Sequence, residues 1–307
     1  MNNIKNNITK FDGRTFKVNQ STGEATEMIS LLVPIGTTYR TPEQQAAYRA
    51  RQALQEEYNQ KEQYKQLVRS ELGNFYFILT NNIFSDVTPQ TATKLIMLCT
   101  YLNYSNQFMK TLKTPMVKSD IKKILKLSKS ATYDFWNDVK DKYITERDRG
   151  LYITESANIF RHNIPDENRY IQYQKLYITA IRNLYAATDI RKHRQLGYIF
   201  KLLPYINLEF NIFCKDAFVK EIDEIQPLTI TDFCNLIDYD VTQSVRLLKE
   251  LQSIKFKHKG NEEYLLSYVD NGNTTSQYKM IFINPHIIYN GSDYRRVEIL
   301  GAFCKTK

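Results

Sequence analysis

Between Lys110 and Lys129 the chain holds seven lysines and a single acid, Asp120. Ammonium groups at that density suit one task above others, the displacement of counterions from a polyanion. The rest of the sequence offers little covalent chemistry. It has no GxxxxGK phosphate loop and no HExxH zinc motif, and its histidines (His162, His193, His258, His286) are too scattered to form a metal-holding pair. His193 in "RKHRQ" and Tyr294 in "SDYRR" hint at a tyrosine recombinase, but that chemistry needs a wider set of arginines and histidines. The acids of "KEIDEI" read as a solvated connector. The expectation is a non-catalytic protein with no metal, no cofactor and no evident small-molecule substrate.

The bulk numbers agree with an anionic partner. The 307 residues carry 42 basic against 33 acidic side chains, a net charge of +9. A hydrophobic content of 42% is that of a folding chain, and the length allows two domains and an extension. Cys99, Cys214, Cys234 and Cys304 contain no CxxC pair and read as small buried hydrophobes in a reducing, cytoplasmic setting. The N-terminal "MNNIKNNITKF" lacks the apolar core of a signal peptide, and no run of 18 apolar residues predicts a membrane span.

The elements that must position the lysines follow from punctuation and periodicity. Residues 1–40 read as an arm followed by a β-hairpin across Ser21-Thr22-Gly23, ended by Pro34. Residues 41–73 read as one long polar helix, opened by Thr41-Pro42 and closed by Gly73. Its thin stripe of Ala47, Ala50, Leu54 and Tyr58 makes it a solvated spacer rather than a coiled coil. Beyond it come a strand (75–79), a helix with Leu95, Leu98, Cys99 and Leu102 on one face, and two short helices within "KSDIKKILKLSKSATYDFWNDV". A hairpin at 143–153 completes the series.

That series recurs. Subtracting 104 carries Ile199, Leu202, Leu203 and Ile206 onto Leu95, Leu98, Cys99 and Leu102. Subtracting 112 carries Thr231-Asp232-Phe233, Leu236, Ile237, Val245, Leu248 and Leu251 onto Ser119-Asp120-Ile121, Ile124, Leu125, Tyr133, Trp136 and Val139. The change of offset is one loop insertion of eight residues. Helix, helix, tight turn, helix and hairpin is the order of a winged helix-turn-helix. The sequence therefore predicts a mainly α fold with small β-hairpins (α+β), holding two tandem winged helices at 74–165 and 166–307. In this reading Ser119 and Thr231 are N-caps, Leu127 and Tyr239 fill the turns, and Tyr133, Trp136 and Val139 anchor the third helix.

The tandem arrangement resembles the plasmid replication initiators built from two winged helices. The phrases "LGYIFKLLPYINLEFNIFCKD" and "IFINPHIIYNGSDYRRVEILGAFCK" are similar to replication or regulatory proteins of low-GC Gram-positive phages and plasmids. The resemblance spans residues 75–304 loosely and carries no catalytic motif. It implies double-stranded DNA as the partner, at an origin or an operator.

Within such a fold the phosphate-contact candidates are Lys118, Lys122, Lys123 and Lys126 around the second helix. Arg147 and Arg149 in the first wing, and Lys255, Lys257 and Lys259 in the second, join them. With Tyr133 inward, Ala131, Asp134, Phe135 and Asp138 would face out, leaving Lys129, Ser130 and Thr132 as base readers. The second unit offers Thr242, Gln243, Arg246 and Lys249 beside Glu250, with glutamine–adenine and arginine–guanine pairings in reach. The acidic third helix keeps a second reading open, a winged-helix module that binds a host or phage protein. Homodimerisation is left open as well.

Overall fold

The structure is a computed structural model and describes residues 7–18, 22–28, 40–81, 83–147, 149–162, 164–168, 171–270, 279–301 and 303. Ser21, Pro34 and Cys304 lie outside them. The chain divides into two compact units, 1–64 and 65–307.

The first unit holds an antiparallel sheet of β1 (Asn7–Phe11), β2 (Arg14–Val18) and β3 (Ala25–Met28), in that order. The expected hairpin is β2–β3. The expected arm supplies β1, because Asp12 and Gly13 both take positive φ (+48° and +77°) and close a two-residue hairpin. Helix α1 (Pro42–Glu71) starts in a reciprocal cap, in which Thr41 Oγ1 accepts from Gln44 N (3.2 Å) and Gln44 Oε1 from Thr41 N (3.1 Å). Gly73, at φ +83°, stops it. No residue of α1 is buried.

The second unit opens with β4 (Phe75–Leu79), α2 (Pro89–Cys99), α3 (Lys118–Ile124) and α4 (Lys129–Val139). The hairpin β5 (Ile144–Arg147) and β6 (Gly150–Ile153) follows, then β7 (Ile159–Phe160) and β8 (Tyr173–Tyr177). Next come α5 (Ile178–Ala187), α6 (His193–Lys201), α7 (Ile230–Leu236) and α8 (Ser244–Gln252). The hairpin β9 (Lys255–His258) and β10 (Asn261–Tyr264), the pair β11 (Leu266–Asp270) and β12 (Lys279–Ile283), and α9 (Tyr294–Gly301) complete the unit. The architecture is mixed α/β with small antiparallel sheets. Among the described residues no helix is long and apolar enough to cross a membrane.

The order α2–α3–α4–β5–β6 recurs as α6–α7–α8–β9–β10, and α7 maps onto α3 residue for residue at the offset of 112 (230 − 118). Both helices end in the same reversal. Lys126 and Asp238 each take φ +53°, and the next residue's N–H reaches back to Lys122 O (3.0 Å) or Cys234 O (2.8 Å), a Schellman closure. The expected caps are corrected, however: the N-caps are Val117 and Thr229, two residues before Ser119 and Thr231. The acids decide this, since Asp120 accepts from Val117 N (3.2 Å) and Asp232 from Thr229 N (2.8 Å).

The two repeats share one continuous core from Leu72 to Phe303 rather than folding apart. At its centre β4 pairs antiparallel with β8, so that Phe75 faces Tyr177 and Leu79 faces Tyr173. α2 packs against α6 with exchanged contacts. Thr93 Oγ1 donates to His193 O (2.8 Å), and Gly197, the counterpart of Thr93, lies against Pro89, the counterpart of His193. A Cβ on Gly197 would stand 1.8 Å from Pro89 O. In a solvated helix, alanine in place of glycine gains about 1 kcal/mol. Here the obstacle is backbone, so Gly197→Ala should instead destabilise by about 3 kcal/mol or more. Chemical denaturation of the variant reads the sign directly.

The end of the unit is locked by a buried imidazole. His286 Nδ1 donates to Glu263 on β10 (2.7 Å), and Nε2 reaches Glu298 on α9 (2.9 Å). The His258 ring stacks on it at 3.9 Å, and the Tyr294 ring lies tilted to it at 6.1 Å. Burial opposes the charge, but the two carboxylates outweigh burial and lift His286 to about 9. His258 is held low, first by burial and then by the charge of His286. A raised folded-state value means the contribution of His286 is complete below the free histidine range and is lost as pH rises through about 9. Thermal unfolding between neutral and alkaline pH should show that loss in the wild type and a flatter profile in His286→Gln.

Candidate nucleic-acid interface

The lysines of the first repeat stand on α3, its closing turn and the start of α4. Lys122, Lys123, Lys126 and Lys129 are exposed, and among the described residues none makes an ion pair. Lys118 lies 4.8 Å from the centroid of the Trp136 ring, which holds its ammonium over the joint between α3 and α4. The one acid of the stretch is taken out of play. Asp120 is buried, accepts Lys110 Nζ (2.7 Å) and Val117 N, and its carboxyl sits below the ordinary range because those bonds outweigh its burial. Arg147 and Arg149 are exposed at the β5–β6 turn, with Arg147 over the Tyr152 ring at 4.9 Å. Lys122, Lys123, Lys126, Lys129, Arg147 and Arg149 therefore form a cationic edge with no ion pair among the described residues, and Lys118 backs it.

The outward face of α4 differs from the expectation. Phe135 is buried and Tyr133 is exposed, so the helix is turned about its axis relative to the Tyr133–Trp136 seam. The seam is Phe135, Trp136 and Val139, matched in α8 by Leu247, Leu248 and Leu251. A signal for this was present in the sequence, since 135/139 and 247/251 are apolar pairs four apart in both repeats. Lys129 and Ser130 remain exposed as expected, joined by Tyr133. Thr132 does not remain available, because its hydroxyl donates back to Ser128 O (2.7 Å).

The acids of the third helices have a structural task that the sequence reading missed. Asp138 accepts from Thr91 on α2 (2.7 Å), and Glu250 accepts from Gln195 on α6 (2.7 Å). The two donors are counterparts at the offset of 104 (195 − 91), and the two acceptors at 112 (250 − 138). Each repeat thus latches its third helix to its first through one side-chain hydrogen bond. Lys94 on α2 is held low by burial, opposed by the charges of Asp138 and Asp134 across the same seam.

The second repeat is more neutralised. Arg246 pairs with Glu250 (3.0 Å), Lys255 with Glu262 (3.1 Å), and Lys259 with Glu71 at the end of α1. Thr242 gives both N–H and hydroxyl to the cap Asp240 (2.9 and 2.8 Å) and lies in a single 3-10 turn (Val241–Gln243) ahead of α8. Gln243, Lys249 and Lys257 are exposed. Elsewhere, His193 is buried with Nε2 on Thr188 O (3.1 Å), and Tyr294 is buried in the core.

Lys126 combines an uncomfortable backbone with a candidate contact. A left-handed φ costs a residue with a Cβ about 1 kcal/mol that glycine does not incur. Lys126→Gly should therefore raise folding stability, read as a higher thermal midpoint, while removing one cation from the edge. No family model, curated protein or solved structure matches this chain.

Proposed function

We propose that this chain is a non-catalytic, sequence-reading double-stranded DNA-binding protein that acts from the cytoplasm at a replication origin or an operator, as phage and plasmid initiators and regulators do. Each repeat is read as a winged helix-turn-helix, with α3 or α7 as the supporting helix, α4 or α8 as the third helix, and β5–β6 or β9–β10 as the wing. The observation that carries the reading is the unpaired cationic edge of the first repeat. Its lysines and arginines fall on the supporting helix, the turn and the wing, the three places where this architecture meets phosphates.

The exchanged contacts between α2 and α6 relate the repeats as two subunits of a dimer are related. One chain would then address two half-sites. The repeats would divide the labour, the first clamping the backbone and the second reading bases through Gln243, Arg246 and Lys249.

A second reading keeps one observation of its own. Tyr133 and Val245 occupy the same repeat position and are 62% and 63% exposed, an apolar pair that a protein partner could cover. Gel shift on a random duplex pool at two salt concentrations separates the readings, since only DNA binding gives a steep salt dependence. Replacing Lys122, Lys123 and Lys126 together by Ala should weaken binding to every duplex and make the log–log salt slope shallower by about 3. An unchanged slope would remove these lysines from the interface.

A further inference from the structure

Next to the β5–β6 turn stands a second, smaller projection. Met109 bridges Pro115, and Lys110 N donates to Thr114 O (2.8 Å), so residues 110–114 form a tight reversal. Thr111 Oγ1 pins it from inside, accepting from Lys113 N (3.3 Å) and Thr114 N (3.1 Å) and bonding Thr114 Oγ1 (3.0 Å). At the apex Leu112 is fully exposed, with no part of its side chain covered.

The projection is tied to the edge described above on both flanks. Gly150, at φ +119°, has room for no Cβ, which would lie 2.8 Å from Met116 O and 3.0 Å from Pro115 Cβ. Gln107 Nε2 donates to Arg149 O (2.8 Å), and Lys110 bonds Asp120 on α3. Leu112 therefore sits at the tip of a pinned turn whose base is bound to the β5–β6 turn at Arg149 and Gly150, with Lys113 next to it in the chain and Lys118 at the start of α3. An isolated exposed leucine is ordinary. One fixed at the apex of a pinned turn, near Lys113, Lys118 and Arg149, which make no ion pair among the described residues, is not placed for solubility.

The counterpart in the second repeat lacks this character. The Cys214–Pro227 bridge answers Met109–Pro115, but the segment between is longer and carries Asp216, Glu221, Asp223 and Glu224 against Lys215 and Lys220. That segment also exposes Phe218 (58%), but among acids, so the apolar tip with a cationic surround is that of the first repeat.

We infer that Leu112 is a wedge that enters between two stacked base pairs from the minor groove, while Lys113, Lys118 and Arg149 hold the flanking phosphates. The inference rests on the DNA-binding reading. Side chains of this class partly unstack a base step and kink the duplex, a cost recovered by the phosphate contacts that the bend permits. Pyrimidine–purine steps, which yield most easily, are the sites it would take.

The test uses the full chain and a duplex that it selects from a random-sequence pool, with 2-aminopurine placed at each adenine in turn. Binding of the wild type should raise the fluorescence at one base step. Leu112→Ala should bind the same duplex with fluorescence at its unbound level, and Leu112→Phe should restore the rise. A duplex bound with no rise at any position, or a rise that survives Leu112→Ala, overturns the wedge and leaves DNA binding standing. If the wild type selects no duplex, the underlying reading fails and the wedge falls with it.

Discussion

The close approach of Gly197 to the Pro89 carbonyl is the constraint on which the second unit depends. It lets α6 lie backbone-to-backbone on α2, a distance that any side chain at that position would forbid. Because α2 carries α3 and α4, and α6 carries α7 and α8, that single contact sets one repeat against the other. The strand pair β4–β8 and the Thr93–His193 bond repeat the same exchange at two further places. A junction specified three times over gives one continuous core, where a linker would have left two domains free to reorient.

On this common frame the two surfaces have diverged. Lys118, Lys122, Lys123, Lys126 and Lys129 correspond to Ile230, Cys234, Asn235, Asp238 and Val241 at the offset of 112. What the repeats retain is the set that holds the helices: the buried seam, the left-handed turn, the carboxylate at the helix start, and the latch from first helix to third. What they lose is every cation of the supporting helix. Except at Cys234, which is buried where Lys122 is exposed, the divergence lies on the solvent side.

The frame was legible in the sequence because it rests on period and register. The offsets of 104 and 112 matched α2 with α6 and α3 with α7 as counterparts, and the buried positions Leu95, Leu98, Ile199, Leu203, Ile121 and Phe233 are those the pattern assigns. The side-chain face of α4 was not legible in the same way. Tyr133 and Phe135 are both aromatic, so the choice turned on a weaker signal, the apolar pairs four apart at 135/139 and 247/251. The caps were misplaced because the bond from Val117 N to Asp120, or from Thr229 N to Asp232, at the third helical position fixes the helix start two residues ahead of Ser119 or Thr231. Of the ion pairs of Arg246, Lys255 and Lys259, one was out of reach for a different reason. Two of these bonds are local, at 246–250 and 255–262, but the third spans from Glu71 to Lys259 and exists only once the core has formed.

The cationic edge carries a physical consequence for the folded chain itself. Lys122, Lys123, Lys126 and Lys129 share one helix end and one turn, and like charges that close repel in the absence of counterions. Asp120 could relieve them, but it is turned inward to Lys110 and to the N-terminus of α3. Lys126 adds the strain of its left-handed backbone at the same spot. The local structure is therefore held by the seam beneath it, Ile121, Leu125, Phe135 and Val139, against the preference of its own surface. A polyanion bound there would remove the repulsion without disturbing the seam, so the stability gained on binding would come from the same groups that supply the affinity.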